Sequence, residues 1–167
     1  EYEGALALFK ANKAEIPAEE IAHNEYLIAD MLSALRGIKA YSAALQFIDI
    51  YNIKLDKHSP QRVLNSYGWV LYYSLKSNTN ATNDYKKKPL NELQLHDRIT
   101  AFLEMMVFPT QPTEEILQNL KYSINLVEFL FKFTVQQEKA KLNPDWKYLT
   151  GLCERINPLY LPEECYT

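Results

Sequence analysis

His96 and Asp97 stand side by side in a segment of helical periodicity. An adjacent imidazole and carboxylate can gather a divalent metal that activates water, provided other ligands join them. His58 upstream and Asp145 downstream are the residues that could complete such a set. Arg98 follows Asp97 directly, which marks a solvated helix face rather than an apolar interior. No resident metal is expected, and His58, His96, Asp97 and Asp145 are kept as the ligands of an alternative reading.

That alternative resembles the helical metal-dependent phosphohydrolases of the HD type, which use an adjacent His-Asp pair with another His before it and an Asp after it. The resemblance implies hydrolysis of a phosphate ester, with the metal held by those four residues. Glu20 and His23 have the i, i+3 spacing used in di-iron carboxylate bundles. No second such pair exists, and acidic residues in a first helical turn are explained by the helix dipole.

Cys153 and Cys165 could be nucleophiles only with a base nearby, and none of the three histidines is close in sequence. Two cysteines are too few for a disulfide scaffold or a structural zinc site, although their spacing permits one bridge. Cys153 shares a helix with Leu149, Leu152 and Ile156 and reads as core or boundary. Glycine-rich phosphate loops and G-x-S-x-G elbows do not occur. No cofactor and no small-molecule substrate are implied.

A second cluster could bind phosphates: Lys86, Lys87 and Lys88, with Arg98. A short lysine run in a loop is usually just solvated. The formal net charge is −3 and the pI about 5.7, against a pI above roughly 9 for a typical nucleic-acid binder. Nucleic acid is therefore a minor alternative. Asn80-Ala81-Thr82 fits a glycosylation acceptor, which matters only in a secreted protein.

The aromatic residues carry more information. Tyr and Trp serve where one end of a side chain is apolar and the other wet, including interfaces, and the chain has 12 tyrosines and 2 tryptophans. Tyr67, Trp69, Tyr72 and Tyr73 spread around a helical wheel and cannot all face one core. Either their helix is sandwiched between neighbours, which is the preferred account, or part of the cluster is a recognition surface.

The elements that must position these groups are helices. Content of 47% hydrophobic and 23% charged residues is ordinary for a globular domain. Only 4 glycines leave few tight turns, and no hairpin-flanked alternating pattern occurs. About seven helices follow from periodicity and stop signals. The first runs from Tyr2 to Ala11 with Ala5, Leu6 and Phe9 inward, and the second from Pro17 to Arg36 with Gly37 as its stop. The third covers Ala40 to Ile53. The fourth opens on a Ser59 cap with Pro60 and ends near Lys76.

A loop is expected over 77–89. A fifth helix follows from Asn91 to Val107. The sixth is capped by Thr113 and runs through Ile116, Leu120, Ile124, Val127, Phe131 and Val135, apolar nearly all round in its middle and so expected to be central. A seventh begins near Asp145 and ends by Asn157. The richest apolar stretch, 124–135, is interrupted by Asn125, Glu128 and Lys132, and no run reaches the roughly 18 residues of a membrane span. The chain starts in helical rhythm without Met and reads as a piece of something longer, with a cytoplasmic setting expected.

Tyr2-x-x-Ala5-Leu6-x-x-Phe9 recurs 39 residues later as Tyr41-x-x-Ala44-Leu45-x-x-Ile48. Over residues 1–76 this order resembles the tetratricopeptide repeat, whose second helix opens with an aromatic, then a small residue, then a bulky one. Leu32 and Leu35 fall on its preceding helix, and Trp69 with Tyr72 look like the start of another. The spacing departs from the roughly 34 residues of that repeat, and the usual glycines are missing. Tyr67-Gly68-Trp69-Val70-Leu71-Tyr72 with Leu75-Lys76 is also similar to helical-repeat regions of large bacterial defence-type proteins.

The resemblance implies an all-α fold of antiparallel helical hairpins in a right-handed, repeat-like stack. The chain is then a single helical domain over 1–167, with hairpins over 1–76 and C-terminal helices over 90–167. The function it implies is a non-catalytic protein-interaction or scaffold module inside a larger protein, its partner another protein or other domains of the same chain. Any groove would be lined by the second and fourth helices, with Tyr26, Arg36, Trp69 and Tyr73 as its binding residues. The HD-like hydrolase and a nucleic-acid-associated regulatory domain are the alternatives.

Overall fold

The computed structural model describes residues 1–80, 92–105 and 129–156. Among the described residues all regular structure is helical, in eight helices. These are α1 Tyr2–Asn12, α2 Ala18–His23, α3 Glu25–Gly37, α4 Tyr41–Ile50, α5 Gln61–Asn80, α6 Glu92–Met105, α7, whose described part is 129–139, and α8 Trp146–Ile156. By packing the chain divides into two compact units, 1–95 and 96–167. No described helix is long and apolar enough to cross a membrane.

The eighth helix arises because the expected second helix is two. Asn24 leaves the helical region at φ −91°, ψ 96°, and its side chain accepts a hydrogen bond from the Leu27 N–H at 3.1 Å. A short amide side chain that caps a new helix outcompetes continuation of the old one. At the far end of α3, Gly37 is still helical. The left-handed residue is Lys39, φ 62°. Ala40 N–H donates to Leu35 O at 2.8 Å and Lys39 N–H to Arg36 O at 2.9 Å, closing a Schellman cap. Asn52, φ 50°, ends α4 the same way: Ile53 N–H reaches Ile48 O at 3.0 Å.

Ser59 is not the cap expected of it. Its hydroxyl accepts from the Asp56 N–H at 2.9 Å, while Asp56 Oδ1 accepts from the His58 N–H at 2.7 Å, so this turn closes on itself. Val63 and Leu64 N–H groups donate to the Pro60 carbonyl instead. α5 also runs on through Ser77 to Asn80, which were assigned to a loop. No Pro or Gly interrupts those four residues, and their propensity cost is modest. The rest of that loop, the fifth helix beyond Met105, the start of the sixth and the tail beyond Ile156 lie outside the described residues.

Within the first unit, α3 is the hub. α1, α2, α4 and α5 all pack on it, and α4 also packs on α5. It buries Ile28, Ala29, Met31, Leu32 and Ala34. α4 supplies Ala44, Leu45, Phe47 and Ile48, and α5 supplies Val63, Leu64, Tyr67, Val70, Leu71 and Leu75. Leu6 is buried from α1, but Ala5, expected beside it, is exposed while its counterpart Ala44 is fully buried. α1 packs mainly on α3, whereas α4 packs on both α3 and α5. Gly37 is needed for close approach: a Cβ there would overlap the ring of Tyr2.

In the second unit, Ile99, Phe102 and Leu103 of α6, Leu130, Phe131 and Val135 of α7 and Leu149 of α8 are buried. Two fully buried hydroxyls are satisfied within their own helices. Thr134 donates to Leu130 O at 3.0 Å, as Ser74 of the first unit does to Val70 O at 2.6 Å.

Leu32→Ala removes fully buried volume at the hub and should destabilise the fold by about 2–5 kcal/mol. Leu8→Ala, at a side chain 67% exposed, should stay within about 0.5 kcal/mol. Urea unfolding followed by far-UV circular dichroism measures both.

Candidate interaction groove

α3 and α5 lie side by side and leave an open groove of about 600 Å³ along their shared edge. Ser33, Arg36 and Gly37 form its α3 wall, and Asn65, Ser66, Trp69 and Tyr73 its α5 wall. Tyr2 and Tyr41, each the first residue of its helix, close one end with Lys39 between α3 and α4. The α5 positions follow from helical spacing, since 66, 69 and 73 form a stripe along one face. Val63, Leu64, Tyr67, Val70 and Leu71 fill the opposite, buried face.

The groove is aromatic and cationic. The Tyr41 and Tyr73 rings are parallel within 6° at a centroid separation of 6.3 Å. Trp69 stands 6.0 Å from Tyr73 and 5.3 Å from Tyr72. The Arg36 guanidinium lies 6.0 Å from the Tyr73 ring centre, within the range of a cation–π contact. Burial, and then the neighbouring Tyr73, push the Tyr41 hydroxyl above its usual pKa, with Arg36 acting in the opposite direction. Tyr41 therefore presents a neutral O–H at neutral pH. No Asp or Glu lines the groove.

Three of the four residues read as binding residues, Arg36, Trp69 and Tyr73, meet in this groove. Tyr26 is outside its lining, at the start of α3, exposed and with the Arg62 guanidinium 4.4 Å above its ring. The aromatic cluster is split between the two accounts offered for it. Tyr67 is buried, Trp69 and Tyr72 are half-buried, and Tyr73 is exposed. Sequence reasoning missed Tyr2, Lys39, Tyr41, Asn65 and Ser66. Tyr2 and Tyr41 do carry a signal, the shared first position of the internal repeat.

The residues of the alternative ligand set fall in both units, His58 in the first and His96, Asp97 and Asp145 in the second. His58 sits in the α4–α5 connection, where its N–H serves the Asp56 turn. Asp97 is exposed and His96 half-buried beside Phe133, with ring centroids 6.1 Å apart. His96 Nδ1 and Thr100 Oγ1, a helical turn apart, are buried atoms without a hydrogen-bond partner among the described residues. Asp145 is engaged as the α8 cap: Oδ1 accepts from the Tyr148 N–H at 2.9 Å. Among the described residues no three His, Cys, Asp or Glu side chains gather as a metal site. Arg98 is half-buried and already engaged in an interaction. Lys86, Lys87, Lys88 and Cys165 lie outside the described residues, as does the side chain of Cys153.

The chain matches no family model, no curated protein and no solved structure.

One charged group of the second unit has a defined structural task. Buried Glu138 accepts from Lys141 Nζ at 2.6 Å and from the Asp145 N–H at 2.9 Å, tying the end of α7 to the start of α8. The Lys141 hydrogen bond, then the backbone one, hold its carboxyl below the ordinary value of 4.5. A carboxylate with a depressed folded pKa stabilises above its unfolded pKa, and that contribution is lost as pH falls through the folded value. The second unit should therefore lose stability as pH drops below about 4.5, and Glu138→Gln should flatten that loss. Thermal melts across the acid range, wild type against variant, give the comparison.

Proposed function

We propose that the first unit is a non-catalytic protein-interaction module of helical-repeat type, working within a larger protein. Its groove between α3 and α5 would hold a segment of another protein or of the same parent chain. The observation that carries this reading is the convergence of Arg36, Trp69 and Tyr73 with Tyr2 and Tyr41 on one open surface. Arg, Trp and Tyr are the residue types that dominate binding energy at protein interfaces.

The contacts also support a stack of antiparallel hairpins. Tyr26 at the start of α3 meets Arg62 at the start of α5, and Arg36 near the end of α3 meets Tyr73 of α5. These pairs are 36 and 37 residues apart, so α3 and α5 run in the same direction in a constant register. Phe9 near the end of α1 meets Phe47 near the end of α4, 38 residues on, at 5.9 Å. Tyr41 at the start of α4 lies against Tyr73 in the second half of α5, as opposed helices require. Two parallel pairs with nearly equal offsets are what stacked helix hairpins produce. A right-handed stack is the form proposed, in line with the tetratricopeptide-like order of the sequence.

A random peptide display library panned on the full chain tests this reading. Peptides enriched on the wild type should lose about tenfold or more in affinity on Trp69→Ala and on Arg36→Ala, each checked by circular dichroism. Arg36 is only half-buried, so that variant stands even if Trp69→Ala fails to fold. The reading fails if no peptide is enriched, or if the folded variants retain the same peptides equally.

A further inference from the structure

The seam between α3 and α5 extends past the groove, and its charge pattern narrows the kind of segment it would hold. On α5, residues 62, 66, 69 and 73 lie on one stripe, stepping by 4, 3 and 4. On α3 the facing stripe is 26, 30, 33 and 37, with Arg36 beside it. At one end Arg62 lies over Tyr26, and at the other Arg36 lies by Tyr73 with Lys39 next to it.

None of Arg36, Lys39 and Arg62 forms an ion pair among the described residues. A guanidinium resting on a ring uses its flat face and leaves its in-plane N–H groups free for a carboxylate. Arg36 is half-buried, so part of its hydration is already lost without an anion to offset it.

We infer that this seam binds an extended acidic segment of a protein partner, with one carboxylate at Arg62, another at Arg36 and Lys39, and an aromatic residue between them on Trp69. The inference rests on reading the groove as a protein-interaction site. Tyr26 and Arg36 are ten positions apart on α3, which at 1.5 Å per residue separates the two arginine posts by about 15 Å. An extended chain at roughly 3.3 Å per residue covers that in about four or five residues. Exposed Asp30 lies on the α3 stripe between the posts. It disfavours a carboxylate midway, so the pattern is acidic, neutral with an aromatic, acidic. The same aspartate and the chain's net charge of −3 oppose a nucleic acid, whose charge repeats at every residue.

The composition of the peptides selected on the full chain decides the matter. Enriched sequences should carry Asp or Glu at two positions about four or five apart with an aromatic between, and their binding should weaken with salt. On Arg36→Glu, a surface-reaching change checked for folding, selection should replace one of those acids by Lys or Arg. On Arg62→Glu it should replace the other. Each reversal should cost the wild-type peptides about tenfold or more.

Three results would overturn the inference. One is enriched peptides without the paired acids. Another is the same sequences surviving both charge reversals. The third is a single-stranded oligonucleotide that binds more tightly than any selected peptide and is lost on Arg36→Glu. Peptides that bind the groove and are lost on Trp69→Ala, but show no acidic pair, would sink this inference and leave the interaction module standing. A library that yields nothing removes both.

Discussion

Helix α3 must serve four neighbours at once, and the rest of the first unit follows from how it does so. α1, α2, α4 and α5 each need part of its circumference. Ala29 and Ala34 are buried beside Ile28, Met31 and Leu32, and small residues of that kind allow neighbouring helices a close approach. At its end Gly37 has no Cβ, so the ring of Tyr2 can lie directly against the backbone. Once these faces are used, one narrow strip of α3 is left toward solvent. It carries Tyr26, Asp30, Ser33 and Arg36, and it is this strip that α5 borders. The groove is thus what remains after the hub has been packed, and its shape depends on the same small residues that bring the neighbours in.

α5 shows how one aromatic-rich helix can meet both demands. Its buried face is aliphatic apart from Tyr67, Gly68 and Ser74, and it holds the helix to α3 and α4. Its rim carries Trp69 and Tyr73, and Tyr73 meets Arg36 of α3 and Tyr41 of α4 while still showing part of its ring to water. Rings of this kind offer wide contact area at little cost in side-chain entropy. Arg36 is set near one of them, with no ion pair to a carboxylate among the described residues.

The helical class and most of the core positions were readable because they are written locally. Leu6, Ile28, Leu32, Ala44, Leu45, Val63, Leu64 and Val70 repeat at helical spacing, and each is buried. The differences arose where two local signals competed. At Asn24 a cap outweighed an unbroken apolar rhythm. At Lys39 the left-handed position fell two residues after the glycine that appeared to claim it. At Ser59 a hydroxyl turned back to Asp56 rather than forward. Ala5 shares its pattern with Ala44, but it is exposed where Ala44 is buried on a helix that packs on both α3 and α5. For the groove, Arg36, Trp69 and Tyr73 were legible as amphipathic residues on two helices. Tyr2, Lys39 and Tyr41 were not, because they reach the site from the ends of other elements, and a single sequence does not reveal which helix ends converge.

The ionisable side chains of the groove are Arg36, Lys39 and three tyrosines. Burial raises the Tyr41 hydroxyl above its usual pKa. Those groups can orient and neutralise an anion and can stack on a ring. The imidazoles of His23 and His58 lie elsewhere: His23 Nδ1 donates to the Glu19 carbonyl of its own helix, and His58 belongs to a turn. A surface with fixed charges, hydroxyls and aromatic faces offers a shape and a charge pattern, and the helical frame around α3 holds those groups in place.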